Sequence, residues 1–328
     1  MRRNGPPESM SFEDLPDGPV PPGAVRVAVQ ASAINFFDSL VVAGTYQQKP
    51  ELPFVPGAEI AGTVVEAPAE SGFVPGDRVL AQVRWNGING GGYAEVAHTR
   101  PDDTLKIPDS MSFEEAAAFY INYQTGWFGL HWRAHLQAGD FLLVHAGAGG
   151  VGSAALQLGK AAGAIVIASV GSPDKAAVCR HLGADLVIER HEQDLVQAVK
   201  EFTQGHGADV VFDPVGGEAY ERSTKCIAFE GRLVVVGFTS GQIPQARANH
   251  VLVKNYSVVG LHWNLYLERK PDLVAECTAE LLRLYEAGRI APYVSRKLPL
   301  EQAAQALADV AAGRTTGKTV LVTEANPA

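Results

Sequence analysis

From residue 1 to about 115 the apolar positions come in short runs, each closed by Gly or Pro. Val25-Arg26-Val27-Ala28-Val29 alternates as a half-buried strand does. Ile60–Val65 is a second, β-branched run and Arg78–Val83 a third. Between them stand Gly18-Pro19, Pro21-Pro22-Gly23, Pro56-Gly57, Pro75-Gly76 and Gly90-Gly91-Gly92, and Gly and Pro at that density mark tight turns. Short strands at this spacing predict a small β barrel or sandwich, not a parallel sheet.

From about residue 116 the rhythm changes. Phe141–His145 reads as a short buried strand, Gly152–Ala162 as a helix stopped by Gly163, and Ile165–Val170 as the next strand. Ser172-Pro173 supplies an N-cap followed by Pro at the first helical position, and Gly183 a stop. Strands follow at Leu186–Ile188, Val210–Asp213, Leu233–Gly237 and Ser257–Leu261, with helices near 193–202 and 218–228. Six buried strands alternating with helices is the pattern of a doubly wound parallel sheet. Two amphipathic helices near 272–287 and 300–312 end at Gly288 and Gly313, and Lys318–Val322 closes the chain as a strand. The expected class is α/β: a Rossmann doubly wound sheet plus a β-rich domain.

Composition narrows the function. The 328 residues include 46% apolar side chains, enough to exclude disorder, and 27 Lys+Arg against 36 Asp+Glu give a formal net charge of −9. An acidic surface argues against a general nucleic-acid binder, which needs clustered cations to neutralise phosphates. No uncharged apolar stretch reaches the roughly 18–20 residues of a membrane-spanning helix. Arg2 and Arg3 are followed by Asn4, Gly5 and two prolines instead of an apolar signal core. A soluble, cytoplasmic protein with no nucleic-acid or membrane partner is expected. Cys179, Cys226 and Cys277 lie 47 and 51 residues apart with no C-x-x-C pair, so inert thiols are expected instead of a disulfide framework or thiolate zinc site.

One motif carries chemistry. Gly147-Ala148-Gly149-Gly150-Val151-Gly152 is a G-x-G-x-x-G between a predicted strand and a predicted helix. In that frame the first Gly makes the turn, the second admits a pyrophosphate, and the third lets the helix lie close to the sheet with its N-terminal dipole on the anion. A dinucleotide is therefore expected here. An NAD site places an acid roughly 20 residues on, at the end of the second strand, to hold the ribose 2′-hydroxyl. Ser169-Val170-Gly171-Ser172 offers none. Ser172 at a helix start, Lys175 one turn on and Arg190 after the third strand would instead suit a 2′-phosphate, which favours NADPH. That Ser172 merely caps its helix while the two cations are solvated is the alternative.

The chain resembles the medium-chain dehydrogenase/reductases, and among them the zinc-free NADPH:quinone oxidoreductase and zeta-crystallin group. The resemblance runs nearly end to end. It is carried by Ala33-Ile34-Asn35-Phe36-Phe37-Asp38, Gly44-Thr45-Tyr46, Leu52-Pro53-Phe54-Val55-Pro56-Gly57, Gly76-Asp77-Arg78-Val79 and Gly91-Gly92-Tyr93-Ala94-Glu95. Further on it is carried by the segment 144–152, Leu182-Gly183-Ala184-Asp185, Gly231-Arg232, Val236-Gly237 and Thr316-Gly317-Lys318. It implies a GroES-like catalytic domain over 1–115 and a Rossmann NADPH-binding domain over 116–254. Residues 255–328 would complete the sheet edge and return to the catalytic domain. Family members open with a complete β-strand, whereas Met1-Arg2-Arg3-Asn4-Gly5-Pro6 is too short and polar to form one.

The zinc alcohol dehydrogenases of this superfamily carry a Cys near the position of Asn35 and a His at that of Ala58. Their four-Cys loop is replaced by Trp85-Asn86-Gly87 and glycines. Neither ligand is present, so no tetrahedral site is expected, and His131 with His135 lacks a plausible third ligand. Without a Lewis acid, alkoxide chemistry is unfavourable. Hydride addition to a quinone or an enone gives a delocalised anion that needs only hydrogen-bond donors and a late proton.

The resemblance assigns Asn35, Tyr46 and Tyr123 to the catalytic site, with Asn122, Tyr123 and Thr125 lining the nicotinamide pocket. It places Val215, Val236, Gly237, Phe238, Thr239, Leu261, His262, Trp263 and Lys318 along the cofactor, with the glycine loop and with Gly171, Ser172, Lys175 and Arg190. Packing with a satisfied hydroxyl is the alternative for both tyrosines. The expected function is an NADPH-dependent, zinc-independent quinone reductase acting on a small molecule. The alternatives are an enone, 2-alkenal or acryloyl-CoA-type reductase on the same site, or a non-catalytic NADPH-binding protein. A homodimer joined through the Ser257–His262 edge is implied by analogy, since an uncovered apolar edge strand invites pairing.

Overall fold

The first long strand, β1 (Val25–Ala33), buries Val25, Val27, Val29, Ala31 and Ala33 completely and the intervening Ala28 and Ser32 nearly so, as a central strand covered on both faces does. After it come α1 (Phe36–Val42), β2 (Glu59–Glu66), β3 (Arg78–Gln82), β4 (Val96–Thr99), β5 (Thr104–Lys106) and α2 (Phe113–Ala117). The computed structural model describes residues 1–15, 19–84 and 91–323. It falls into two units, Met1–Ile121 with Pro292–Ala328, and Asn122–Ala291.

The second unit opens with most of α3 (Tyr120–Trp127) and a wide π-helical turn over Phe128–Arg133. Then β6 (Phe141–His145), α4 (Gly150–Ala161), β7 (Ile165–Val170), α5 (Pro173–His181), β8 (Leu186–Glu189) and α6 (Leu195–Phe202) alternate without a break. They are followed by β9 (Ala208–Asp213), α7 (Gly217–Cys226), β10 (Ile227–Val235), α8 (Ala248–Lys254), β11 (Ser257–Gly260), α9 (Tyr266–Arg269) and α10 (Pro271–Glu286). All six strands are parallel, in the order β11-β10-β9-β6-β7-β8. That order is the doubly wound one, and it reverses between β6 and β9, where such sheets bind ligands beyond the strands' carboxyl ends. Leu143, Ile167, Ile188, Val211 and Leu233 pack on one face with Tyr220 and Tyr256. One expectation needs correction. β11 is half-exposed, because it is the edge strand and pairs only with β10 among the described residues.

The chain's far end returns to the first unit as β12 (Val294–Pro299), α11 (Ala303–Ala311) and β13 (Lys318–Val322). The first unit's sheet is ordered β12-β13-β1-β2-β3-β5, with β4 also on β1. It is antiparallel except for β12 on β13. The register of β1 on β2 shifts between Val29 and Ala31; residues before it pair with β4 and those after it with β13. The bulge thus lets one strand serve two neighbours on the same side. It also brings Lys318, the first residue of β13, close to the end of β1, where α1 begins. No strand precedes β1 among the described residues; Met1 donates its terminal ammonium to Phe54 O at 2.6 Å.

Candidate active site

In the second unit β6 ends at His145 and Ala146 takes the left-handed conformation at φ 50°. The turn expected of Gly147 is therefore made one residue earlier. Gly147 is needed for packing instead: a Cβ there would stand 2.9 Å from Ala168 Cβ and 3.1 Å from Cys179 Sγ. The third glycine behaves as expected, since a Cβ on Gly152 would lie 2.1 Å from Ala146 O. Gly149 is the N-cap of α4 and offers no capping side chain, so the first-turn N–H groups of Gly150, Val151 and Gly152 have no partner within the helix, beside buried Ala148. A cradle of bare N–H groups at the positive end of a twelve-residue helix suits a pyrophosphate.

Beyond β7 the structure gathers the residues read as a 2′-phosphate site. The Arg190 guanidinium lies over Gly171, where a Cβ would be 2.7 Å from Nη2. Ser172 caps α5, its Oγ accepting the Lys175 N–H at 3.5 Å. Burial, and then the Arg190 charge, push the Lys175 ammonium below its ordinary range, so the two cations are close enough to repel. A phosphate would relieve that repulsion.

Across the switch point, Asp213 at the end of β9 was not anticipated. Its Oδ1 accepts Val215 N–H at 2.8 Å and Gly216 N–H at 3.0 Å, while Oδ2 is buried with no partner among the described residues. The Asp213 carbonyl accepts Val236 N–H at 2.9 Å and Gly237 N–H at 3.4 Å, and Thr239 N–H reaches Pro214 O at 3.1 Å. Val215, Val236, Gly237, Phe238 and Thr239 are therefore one backbone cluster, with the Phe238 ring against Gly216. Leu261 N–H reaches Val235 O at 3.0 Å; His262 is exposed and Trp263 buried. His145 Nε2 and Ser223 Oγ are 2.7 Å apart in the interior, and burial lowers the imidazole pKa.

On α3, Asn122 and Thr125 are buried. Tyr123 lies in the core, where its hydroxyl accepts Gln157 Nε2–H at 3.0 Å. That is the arrangement the packing alternative describes, a satisfied hydroxyl inside the second unit.

The first unit holds a buried polar cluster. Asn35, the N-cap of α1, accepts Lys318 Nζ–H on Oδ1 at 2.7 Å and donates Nδ2–H to Glu59 Oε2 at 3.4 Å. Lys318 Nζ lies 3.8 Å from Glu59 Oε2. Glu59 Oε1 accepts the Ile121 N–H at 2.9 Å. Asp38 Oδ2 accepts both the Asn35 N–H and the Tyr93 O–H at 2.9 Å. Tyr93 also lies on Gly57, whose φ is +94° and where a Cβ would meet the ring at 2.5 Å. Tyr46 stacks on Phe37 at 5.5 Å, and burial, then the Asp38 charge, raise its hydroxyl pKa. Asn35 and Lys318 are thus brought together, whereas Asp38, Glu59 and Tyr93 join them without having been assigned to the site. Ala58 is buried at the position considered for a zinc-binding His, and the Lys318 ammonium already occupies Asn35 Oδ1. An ammonium there repels a second cation. Trp85-Asn86-Gly87 lies outside the described residues.

Comparison with known proteins identifies this arrangement. Residues 21–109 match the alcohol dehydrogenase GroES-like domain, and residues 150–280 the domain described as zinc-binding dehydrogenase. The quinone oxidoreductase-like protein 2 homolog of Nematostella vectensis is 39% identical over 92% of this chain and 82% of its own length. A probable oxidoreductase from Mycobacterium abscessus superposes with a TM-score of 0.88 at 39% identity, over 98% of this chain and 97% of that one. The Escherichia coli quinone oxidoreductase complexed with NADPH also gives 0.88, at 32% identity over 98% of each chain. The chain belongs to the medium-chain dehydrogenase/reductases, in their zinc-free branch of quinone oxidoreductase-like proteins.

Proposed function

We propose that the protein is an NADPH-dependent, zinc-independent reductase whose hydride acceptor is a quinone. The observation that carries the reading is the Lys318 ammonium, buried and held by Asn35 and Glu59 in a first unit that lacks the zinc-ligand residues of its metal-dependent relatives. The quinone oxidoreductase names of its relatives support the acceptor class.

The residues fit the cofactor. The loop Gly147–Gly152 with the start of α4 would hold the pyrophosphate, and Ser172, Lys175 and Arg190 the 2′-phosphate. Val215, Val236–Thr239 and Leu261–Trp263 would pass along the rest, with Asn122 and Thr125. NADPH, when bound, supplies the hydride. Lys318 stabilises the developing oxyanion of the acceptor, a fixed positive charge being worth more in a dry interior than in water. Asn35 orients that ammonium by a short charge-assisted bond. Glu59 counters the ammonium charge and opposes the lowering of its pKa by burial. Tyr46, half-buried beside Phe37, is the proton donor, and its raised pKa keeps the hydroxyl protonated at neutral pH. In solution two copies join through the open edge of β11, flanked by Leu252 and Val253 at 76% and 78% exposed.

The test follows cofactor oxidation with NADPH and NADH against a naphthoquinone, a linear enone and an aldehyde. Oxidation of NADPH with the quinone alone is expected. Turnover with the enone instead reassigns the acceptor to activated alkenes. Preference for NADH overturns the roles of Ser172, Lys175 and Arg190, and NADPH binding with no acceptor reduced makes the protein a non-catalytic binder.

A further inference from the structure

Asp38 and Glu59, both 0% exposed, and Lys318, at 4%, lie together in the interior of the first unit. Two carboxylates and one ammonium would leave a net negative charge where nothing solvates it, and such a cluster keeps a proton instead. The hydrogen bonds say which carboxyl keeps it. Glu59 has both oxygens engaged, by the Ile121 N–H at 2.9 Å and the Asn35 amide at 3.4 Å, and Lys318 stands beside it. Asp38 uses only Oδ2, for the Asn35 N–H and the Tyr93 O–H. Its Oδ1 is buried with no partner among the described residues. A bare oxygen costs far less on a neutral carboxyl than on a carboxylate.

We infer that Asp38 carries the buried proton of this cluster, on Oδ1, and is a positioning residue for Asn35. Neutral, it still accepts the Asn35 N–H and so fixes the start of α1 and the amide that grips Lys318. It does so without adding a second negative charge that would weaken the ammonium. Four other groups face it: Tyr93 before β4, Tyr46 after α1, Glu59 on β2 and Lys318 on β13. Burial dominates among these influences and pushes the Asp38 carboxyl up to about 7; burial raises the Glu59 carboxyl too, but there Lys318, then the Ile121 N–H, the Asn35 amide and the Tyr120 N–H oppose it. The Tyr93 hydroxyl is raised well above its ordinary range, so it stays a donor. The catalytic consequence rests on the reductase reading; the proton's location does not.

The experiment has two arms. Infrared spectra of the intact protein, without substrate, are recorded from pH 5 to 9. A protonated-carboxyl C=O band is expected in the wild type that fades as pH rises through about 7, is absent in Asp38→Asn, and persists to higher pH in Tyr93→Phe, which loses a donor to the carboxylate. In the second arm, Asp38→Ala lowers kcat/KM for the quinone at least about tenfold and Asp38→Asn restores most of it, losing the decline above pH 7. A band that survives in Asp38→Asn overturns the inference. So does a folded Asp38→Asn variant as inactive as Asp38→Ala at every pH, which would mean that the carboxylate is the working form. Should the wild type reduce no acceptor, the reductase reading fails, and the infrared arm alone still decides where the proton sits.

Discussion

Replacing Tyr123 by Phe separates packing from chemistry. Its hydroxyl accepts from Gln157 Nε2 at 3.0 Å, while the same amide also donates to Ser153 O at 3.3 Å and accepts the Ala291 N–H at 2.8 Å on Oε1. Removing the phenol oxygen leaves the Ser153 and Ala291 bonds in place. The loss is one neutral hydrogen bond, about 1 kcal/mol. In a cooperative unit of roughly 150–250 residues that lowers Tm by about 2–4 °C. Gln157→Leu removes all three bonds and strands the Ala291 N–H, so about 2–4 kcal/mol is expected. Thermal melts by circular dichroism and steady-state NADPH oxidation on the same preparations read both quantities. Tyr123→Phe should keep kcat within about twofold, since no group that stabilises charge at the acceptor has changed. A fall in kcat of about tenfold, which is roughly 1.4 kcal/mol of barrier, with an unchanged Tm would refute the packing assignment and return Tyr123 to the reaction.

Arg190→Ala should raise KM for NADPH by roughly 10–100-fold and leave that for NADH nearly unchanged, because a charge-assisted bond to a phosphate is worth about 1.5–3 kcal/mol; equal loss for both cofactors would move the guanidinium away from the 2′-phosphate. Gly152→Ala places a Cβ 2.1 Å from Ala146 O, so the loop must shift, and calorimetric titration should show NADPH binding lost while the melt remains cooperative. Stability against pH should carry the mark of Asp38. A carboxyl raised from 3.8 to about 7 on folding stabilises fully below about pH 4, and that contribution is lost as pH rises through about 7. Relative to Asp38→Asn, the wild type should therefore lose up to about 4 kcal/mol between those limits and nothing further above them; parallel curves from chemical denaturation would count against it.

What the sequence revealed depended on how local the cause was. The six strands of the second unit were readable because each contains an apolar run, and the glycine loop because its geometry depends on a dozen consecutive positions; β10 begins at Ile227, six residues before the expected Leu233, because Glu230-Gly231-Arg232 interrupts its apolar pattern. β12 escaped notice: Ser295, Arg296, Lys297 and Pro299 make it read as a loop, and such residues suit an edge strand, which the sheet order makes it. α1 and α2, of seven and five residues, are too short for a helical period to show. The glycine loop lies between a strand and a helix as read, but its turn falls at Ala146, since nothing in an Ala codes for the left-handed conformation it adopts.

The first unit's polar cluster is the opposite case. Asn35 and Lys318 are 283 residues apart and Tyr93 and Asp38 are 55 apart, so no window along the chain contains the site. Each charged member looks like a solvated surface residue until the sheet removes water from it. The resemblance to a family could name Asn35 and Lys318, yet not that two further carboxyls surround them. Their presence changes the chemistry. A lone buried lysine is driven toward the neutral amine by desolvation. Lys318 feels that same push, and Glu59 and Asp38 oppose it by charge. The ammonium is useful to an anionic product only if it stays protonated, which requires one ionised carboxylate, and only if it is not cancelled twice, which requires the other carboxyl to be neutral. Glu59 and Asp38 differ in their hydrogen bonds in the way that division demands.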